Sequence, residues 1–269
     1  MSLNERWNLR IDPALSGTDN MQVDLGILQM IEGSGRAETF VRFYQWDRPT
    51  VSIGKHQVLE RAVDLASCRR RNVPIVRRPT GGRAVLHVDE LTYAVISSDY
   101  EIFPAHCLSA TYRKISEALA CGLRSLGLEA ELYRGTSPVR RGSDLKSPCF
   151  LSPSRSEILA AGRKLAGSAQ RRLKTCFLQH GSIPLSVDYP LMAELLGVSE
   201  ALLRRQMTSL SEVLPADPQP TDVIRALQAG FQEYFGIRFA DPPATFPASL
   251  RPETWTLACT PGESGRSET

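Results

Sequence analysis

The residues best suited to covalent chemistry lie in one short run, Ser147-Pro148-Cys149-Phe150-Leu151-Ser152-Pro153-Ser154. Prolines on both sides keep the cysteine in a non-helical loop. A thiol there is more accessible than one on the apolar stripe of a helix, and Lys146 and Arg155 close by in sequence favour its thiolate. The plainer reading of Cys149 is a structural loop cysteine. A second run, Gly162-Arg163-Lys164-Leu165-Ala166-Gly167-Ser168-Ala169-Gln170, crowds small residues around one lysine, and Leu178-Gln179-His180-Gly181-Ser182-Ile183 follows it. Gly167, Ser168 and Ala169 leave room for a slender ligand or a close backbone. Aimed into a pocket, the Lys164 ammonium would stabilise a thiolate or polarise a carbonyl; aimed outward, it is a solvated strand lysine. A third run, residues 77–87, reads Arg-Arg-Pro-Thr-Gly-Gly-Arg-Ala-Val-Leu-His. Gly81 and Gly82 between two strands permit a sharp turn and a close backbone approach to a ligand. The flanking arginines suit an anionic or carbonyl group, or they are merely exposed around a tight hairpin.

Composition narrows the setting. The chain has 269 residues, 42% hydrophobic and 23% charged, which is ordinary for a soluble globular protein of one large or two small domains. No apolar run reaches the length that spans a bilayer, and Met1-Ser2-Leu3-Asn4-Glu5-Arg6-Trp7 lacks the basic-then-apolar pattern of a signal peptide. A cytoplasmic location without membrane contact is expected. The six cysteines, at 68, 107, 121, 149, 176 and 259, form no Cys-x-x-Cys pair and do not cluster with the histidines, which argues against a zinc site or a disulfide framework. Cys176 shares a Cys-Phe-Leu string with Cys149, but it falls within a predicted strand and is expected to serve packing. Net charge is only +3. The arginines are clumped at 69–71, 77–78, 140–141, 171–172 and 204–205, as solvated faces or as a patch for an acidic partner. They lack the interleaved aromatics of a single-strand nucleic-acid surface, so no nucleic-acid partner is expected.

The elements that must position these groups are legible in outline. Thr18 and Asp19 offer caps for a first helix with Met21, Leu25 and Leu28 on one face. Asp24 shares that face, where a carboxylate is either paired in the core or lines a site. Residues 39–46, 50–53, 75–78, 83–87 and 91–96 read as strands, and 61–71 as a helix stopped at Asn72 and Pro74. Residues 109–126 carry the stripe Tyr112, Ile115, Leu119, Leu123 and Leu126, with Gly127 as a C-terminal stop. Strands are expected near 156–160 and 163–170, joined through Ala161-Gly162, and at 176–183. The pattern turns helical from Tyr189, ending in a helix capped by Thr221 with Ile224, Leu227 and Phe231 on one face and Gly236 at its end. Residues 1–240 are expected to form one catalytic domain, and 241–269 an irregular, partly disordered tail. The order indicates an α+β fold with mixed or antiparallel sheets flanked by helices.

Together, in this order, the three runs resemble the catalytic domain of the lipoate-protein ligases and octanoyltransferases, relatives of the biotin-protein ligases. The resemblance extends from about Trp7 to about Phe239 and includes Asn20-Met21-Gln22-Val23-Asp24 and the stretch from Trp46 to Gln57. The Pro148-Cys149-Phe150 segment resembles the branch that carries an acyl group on cysteine, the octanoyl-[acyl carrier protein]:protein N-octanoyltransferases. The resemblance implies an acyltransferase of lipoate biosynthesis that needs no cofactor. Cys149 would be the nucleophile and Lys164 its neighbour, with Arg77, Gly81, Gly82, Arg83, His87, Gly167, Ser168 and Ala169 around the substrate and apolar residues such as Leu86 along the acyl tail. It implies acyl carrier protein as octanoyl donor and a lipoyl-domain protein, such as the glycine-cleavage H protein, as acceptor. An ATP-dependent lipoate-protein ligase and an amidotransferase between lipoyl domains are the nearest alternatives. Val88 after His87 and Ser156 before Glu157 depart from the family's usual aspartate and aromatic.

Overall fold

The computed structural model describes residues 6–104, 107–133, 135, 156–240 and 256–257. Strand β1 (Arg6–Ile11) leads into helix α1 (Gly17–Ser34), then β2 (Thr39–Tyr44) and β3 (Thr50–Ile53). Two short helices, α2 (Leu59–Ala62) and α3 (Leu65–Arg70), precede β4 (Ile75–Arg77), β5 (Val85–His87) and β6 (Glu90–Ser97). Helix α4 (Leu108–Ser125) is followed by β7 (Glu131–Leu132), β8 (Ile158–Ala160), β9 (Arg163–Lys164), β10 (Gly167–Arg172) and β11 (Phe177–Pro184). Helices α5 (Tyr189–Leu196), α6 (Glu200–Gln206), α7 (Leu210–Val213) and α8 (Pro220–Phe235) then lead to β12 (Arg238–Ala240) and β13 (Thr256–Leu257).

The strands form three sheets. The largest has the order β10-β11-β6-β2-β1-β12; its β10-to-β2 half is antiparallel, while β2, β1 and β12 run parallel. A four-stranded sheet has the order β13-β4-β3-β5, and a three-stranded one β7-β8-β9. This is the expected α+β arrangement of mixed sheets flanked by helices.

Strand alternation explains how the large sheet is covered on both faces. Phe40, Ala94, Ile96 and Leu178 face the α1 residues Met21, Ile27, Leu28 and Ile31. Val41, Phe43, Tyr93 and Val95 face the opposite way, onto Ile115, Leu119 and Leu123 of α4 and Leu227 and Phe231 of α8. Helices α4 and α8 approach closely because Gly122 and Gly230 meet at their crossing; a Cβ on Gly122 would sit 2.5 Å from the Ala226 carbonyl oxygen.

Several boundaries differ from the sequence expectation, each for a local reason. Ser16 caps α1, its Oγ accepting the Asp19 N–H at 3.2 Å, rather than Thr18 or Asp19. Helix α8 begins at Pro220 behind Gln219, so Thr221 lies inside it. The single helix expected over 61–71 is two, because Val63 is extended and the Asp64 carboxylate restarts the chain by accepting the Ser67 N–H. The strand expected over 163–170 breaks at Leu165-Ala166: β9 stays with β8, while β10 crosses to the large sheet. Within the segment expected to be irregular, Thr256–Leu257 forms a strand paired antiparallel with Ile75 and Val76.

Candidate functional site

The glycine turn is built by its neighbours rather than by its own chain alone. Strand β3 pairs with β4 on one side and β5 on the other, so the turn joining β4 to β5 must cross over the end of β3. There Gly54 lies against the Gly82 carbonyl so closely that any Cβ on Gly54 would overlap it. Gly82 itself has φ +91, a left-handed conformation that suits glycine. Arg78 staples the turn from inside: Nε and Nη2 donate to Gly81 O at 3.0 and 2.7 Å, and Nη2 also donates to Arg83 O at 2.7 Å. Its Nη1 donates to Ser52 Oγ at 3.1 Å.

Beside this turn a cleft of about 380 Å³, partly open to solvent, lies between α1, β5, β6, β10 and β11. Half of its lining residues are apolar or small: Met21, Tyr44, Trp46, Val85, Gly167, Ala169 and Gly181. The polar side chains in its wall are Ser52, Arg78, His87, Thr92, Ser168, His180 and Ser182. The His87 ring stacks on the Trp46 indole with centroids 3.9 Å apart and planes 9° from parallel. A flat stacked pair beside small residues makes a narrow slot, suited to an extended chain ending in a carbonyl.

Two buried carboxylates stand behind the slot. Asp24 is fully buried; Arg42 Nη1 donates to it at 2.7 Å, Tyr44 Oη at 3.1 Å, and His180 Nδ1 lies 2.9 Å away. Burial opposes its charge, yet Arg42 and His180 hold its pKa below the usual carboxylate value. Glu90 receives His87 at 2.8 Å, Thr92 at 2.5 Å and Ser182 at 2.5 Å. Burial again pushes its pKa up, but His87 and the hydroxyl donors bring it below the ordinary value. Burial pushes His180 downward, with Arg78 and His87 acting in the same direction against Asp24.

Lys164 is 1% exposed and pairs with Glu157 at 2.8 Å. Strand pairing places it: Lys164 lies opposite Leu159 in the β8–β9 hairpin, and its carbonyl accepts the Thr208 N–H at 3.0 Å. The turn between those strands uses positive φ at Ala161 and Gly162. On the neighbouring strand Ser168 Oγ contacts Tyr93 Oη at 2.6 Å.

Of the residues singled out from sequence, the structure brings His87, Gly167, Ser168 and Ala169 into one cleft. Gly82 adjoins it, since a Cβ there would lie 3.7 Å from that of Ala169. Arg77 points elsewhere: its Nη1 donates to the carbonyls of Gly54, Lys55 and Gln57 and fixes the loop after β3. Gly81 borders a second hollow with His56, Val58 and Arg61. Arg83 offers its backbone carbonyl to Arg78, and its side chain does not line the cleft. Leu86 packs with Val51, Ile75 and Met192 in a core away from the slot, correcting its expected place along an acyl tail. Cys149 lies outside the described residues. Ser52, Glu90 and Thr92 were missed, whereas Arg78 and Ser182 lie inside the runs that the sequence singles out. The signal for Thr92, His180 and Ser182 was period-two alternation, which places them on the α1 face of adjacent strands β6 and β11.

The sequence profile of the lipoyl protein ligase A/B catalytic domain matches residues 16–232. The chain belongs to the lipoyl protein ligase A/B family. Its similarity to named members of that family extends over most of its length. It is 35% identical over 243 residues to octanoyltransferase LipM of Carboxydothermus hydrogenoformans, covering 87% of this chain and 88% of that one. To octanoyltransferase LipM of Brevibacillus brevis it is 36% identical over 266 residues, with 94% of each chain covered. Among solved structures, protein Ta0514 of T. acidophilum, with bound lipoic acid, superposes with a TM-score of 0.73 over 90% of each chain at 24% identity. That likeness is one of fold, and it agrees with the catalytic-domain type expected from sequence. No described helix is long and apolar enough to cross a membrane.

Proposed function

We propose that this protein is an octanoyltransferase of protein lipoylation, moving an eight-carbon acyl group from a carrier thioester to a lysine of a lipoyl-domain protein. The observation that carries this reading is the end-to-end similarity to two octanoyltransferases LipM, at 35% and 36% identity. The slot supports it, combining apolar and small residues with hydroxyl, imidazole and guanidinium groups in its wall.

In the proposed mechanism the Cys149 thiolate attacks the donor carbonyl, the carrier thiol leaves, and the acyl group rests on the enzyme as a thioester. Exchange of one thioester for another is nearly balanced, so no ATP is required. The acceptor lysine amine then attacks the acyl-enzyme and loses a proton, and the Cys149 thiol is restored. Conversion of a thioester to an amide is downhill and drives the second step, giving ping-pong kinetics. Lys164 is assigned to stabilise the thiolate and the oxyanion of each tetrahedral intermediate. Gly81, Gly82, Arg77 and Arg83 form and brace the turn beside the acyl site. His87, Gly167, Ser168 and Ala169 contact the acyl group. The donor is assigned as octanoyl-acyl carrier protein and the acceptor as a protein of the glycine-cleavage H type, with catalysis in the cytoplasm.

Intact-protein mass spectrometry after incubation with octanoyl-acyl carrier protein, without ATP, tests the first half-reaction. Wild type is expected to gain one octanoyl group that hydroxylamine removes, and Cys149→Ala to gain none. No adduct on wild type, with transfer appearing only when ATP and free lipoate are supplied, would overturn the thioester route in favour of a ligase.

A further inference from the structure

The slot is organised from behind by Glu90 and Asp24, neither of which the proposed reaction consumes. The hydrogen-bond directions around them follow from the chemistry of each group. An ionised carboxylate can only accept, so the His87 Nδ1 facing Glu90 must carry a proton. Neutral imidazole then accepts at Nε2, and the hydroxyl 2.7 Å away, Ser52 Oγ, must donate. The same Ser52 oxygen accepts from Arg78. A string therefore runs in one direction, from Arg78 through Ser52 and His87 to Glu90. An indole N–H can only donate, which fixes a second branch: Trp46 to Thr92 at 2.8 Å, and Thr92 to Glu90.

Asp24 ends a string of the same kind. His180 Nδ1 faces its carboxylate, and His180 Nε2 lies 2.7 Å from Thr80 Oγ1. Both strings reach the same object. Thr80 is the residue before Gly81, and Arg78 holds the Gly81 and Arg83 carbonyls. The turn is thus gripped by two carboxylate–imidazole–hydroxyl strings, one from β5 and one from β11. The Ser52 hydroxyl links the two ends of its string, accepting from Arg78 and lying 2.7 Å from His87 Nε2.

We propose that Glu90 and Asp24 are positioning residues for the acyl cleft, each acting through one histidine held as its Nδ1–H tautomer to fix the arginine–glycine turn. The role as an acyl cleft rests on the function proposed above; the tautomers do not.

The test uses the full chain labelled with 15N at its four histidines, assigned with His87→Gln and His180→Gln. Wild type is expected to show His87 and His180 as neutral Nδ1–H tautomers at pH 7.5. Glu90→Gln, whose amide can donate to Nδ1, is expected to mix or reverse the His87 tautomer and to shift the Gly81 and Gly82 amide resonances. It should lower kcat for octanoyl transfer by on the order of tenfold or more, with KM for the donor little changed. Glu90→Asp should restore part of that loss. Thr80→Val cuts the second string at the turn without disturbing the Asp24–His180 or Asp24–Arg42 contacts, and is expected to shift the Gly81 and Gly82 amide resonances while both histidines keep their Nδ1–H tautomers. An Nε2–H tautomer of His87 in wild type would overturn the proposal. So would Glu90→Gln with an altered tautomer but unchanged glycine resonances and kcat. Absence of octanoyl transfer by wild type would sink the octanoyl reading alone, because tautomers and glycine shifts are read without substrate.

Discussion

A buried charge constrains its partner more than it stabilises the fold, and Lys164 with Glu157 is such a pair. Breaking a buried pair by removing one member costs roughly 3–5 kcal/mol, whereas replacing both with apolar groups is often neutral. Lys164→Ala is therefore expected to lose both acyl-enzyme formation and stability. The double variant Lys164→Met with Glu157→Leu should recover the urea midpoint without recovering activity; recovery of both would dismiss Lys164 from the chemistry. Cys176 shows the opposite behaviour. It is fully buried, its thiol weakly contacts the Leu28 carbonyl at 3.8 Å, and burial pushes its pKa up to about 11. On the order of one molecule in ten thousand carries that thiolate at pH 7. Peptide mapping after brief iodoacetamide treatment should find Cys176 unmodified in folded protein, and Cys176→Ala should still transfer acyl groups. The buried carboxylates and His180 also set an acid limit. Their folded pKa values all lie below the unfolded ones, so the unfolded chain binds protons first as pH falls. The His180 contribution is complete above about pH 6.5 and declines below it. Those of Asp24 and Glu90 hold until about pH 4.5 and are lost as pH drops through their folded values. Denaturation midpoints between pH 8 and 4 should show His180→Gln removing the first decline, while the second persists through Glu90 and an Asp24 still held by Arg42.

Elements were legible where one local signal decided them. The stripes of α4 and α8 and the β-branched runs of β2, β3 and β6 appear within a residue or two of where periodicity places them. Boundaries were missed where a single side chain outvotes the periodicity, as at Ser16 and Asp64, or where a strand changes sheet, as at Leu165-Ala166. The site divides in the same way. Gly82 and the residues 167–169 could be singled out because small types mark places of close approach, whereas His87 came only with the family resemblance. Ser52, Glu90 and Thr92 could not, since their roles depend on which strands pair across the sheets. Arg77 and Arg78 are adjacent and identical in type, and only the crossing of the turn over β3 tells them apart. The crossing makes its own prediction. Gly54→Ala would drive a methyl into the Gly82 carbonyl, backbone against backbone, and should abolish acyl transfer together with several kcal/mol of stability. Gly162→Ala has φ +71 but open space around it; it is expected to cost about 1 kcal/mol while acyl transfer continues. Equal effects of the two on activity would contradict this account of the turn.

For the molecule as a whole, the large sheet carries the core on both faces, and the smaller four-stranded sheet carries the turn beside the slot. That smaller sheet has β13 at its edge, a two-residue strand delivered from far along the chain to lie against Ile75 and Val76. An edge left open presents a row of N–H and C=O groups to any extended chain that meets it. Ile75 and Val76 are apolar; of the residues that follow them, Arg77 fixes the loop after β3 and Arg78 staples the glycine turn. A chain ending at residue 240 would therefore offer an adhesive border within reach of its own site. Light scattering on that truncated protein should reveal concentration-dependent association that the full chain lacks, with transfer activity falling as the aggregates grow. In the intact protein Thr256 and Leu257 would then act as a guard against self-templating, keeping the β4 edge from becoming a seed for fibrils.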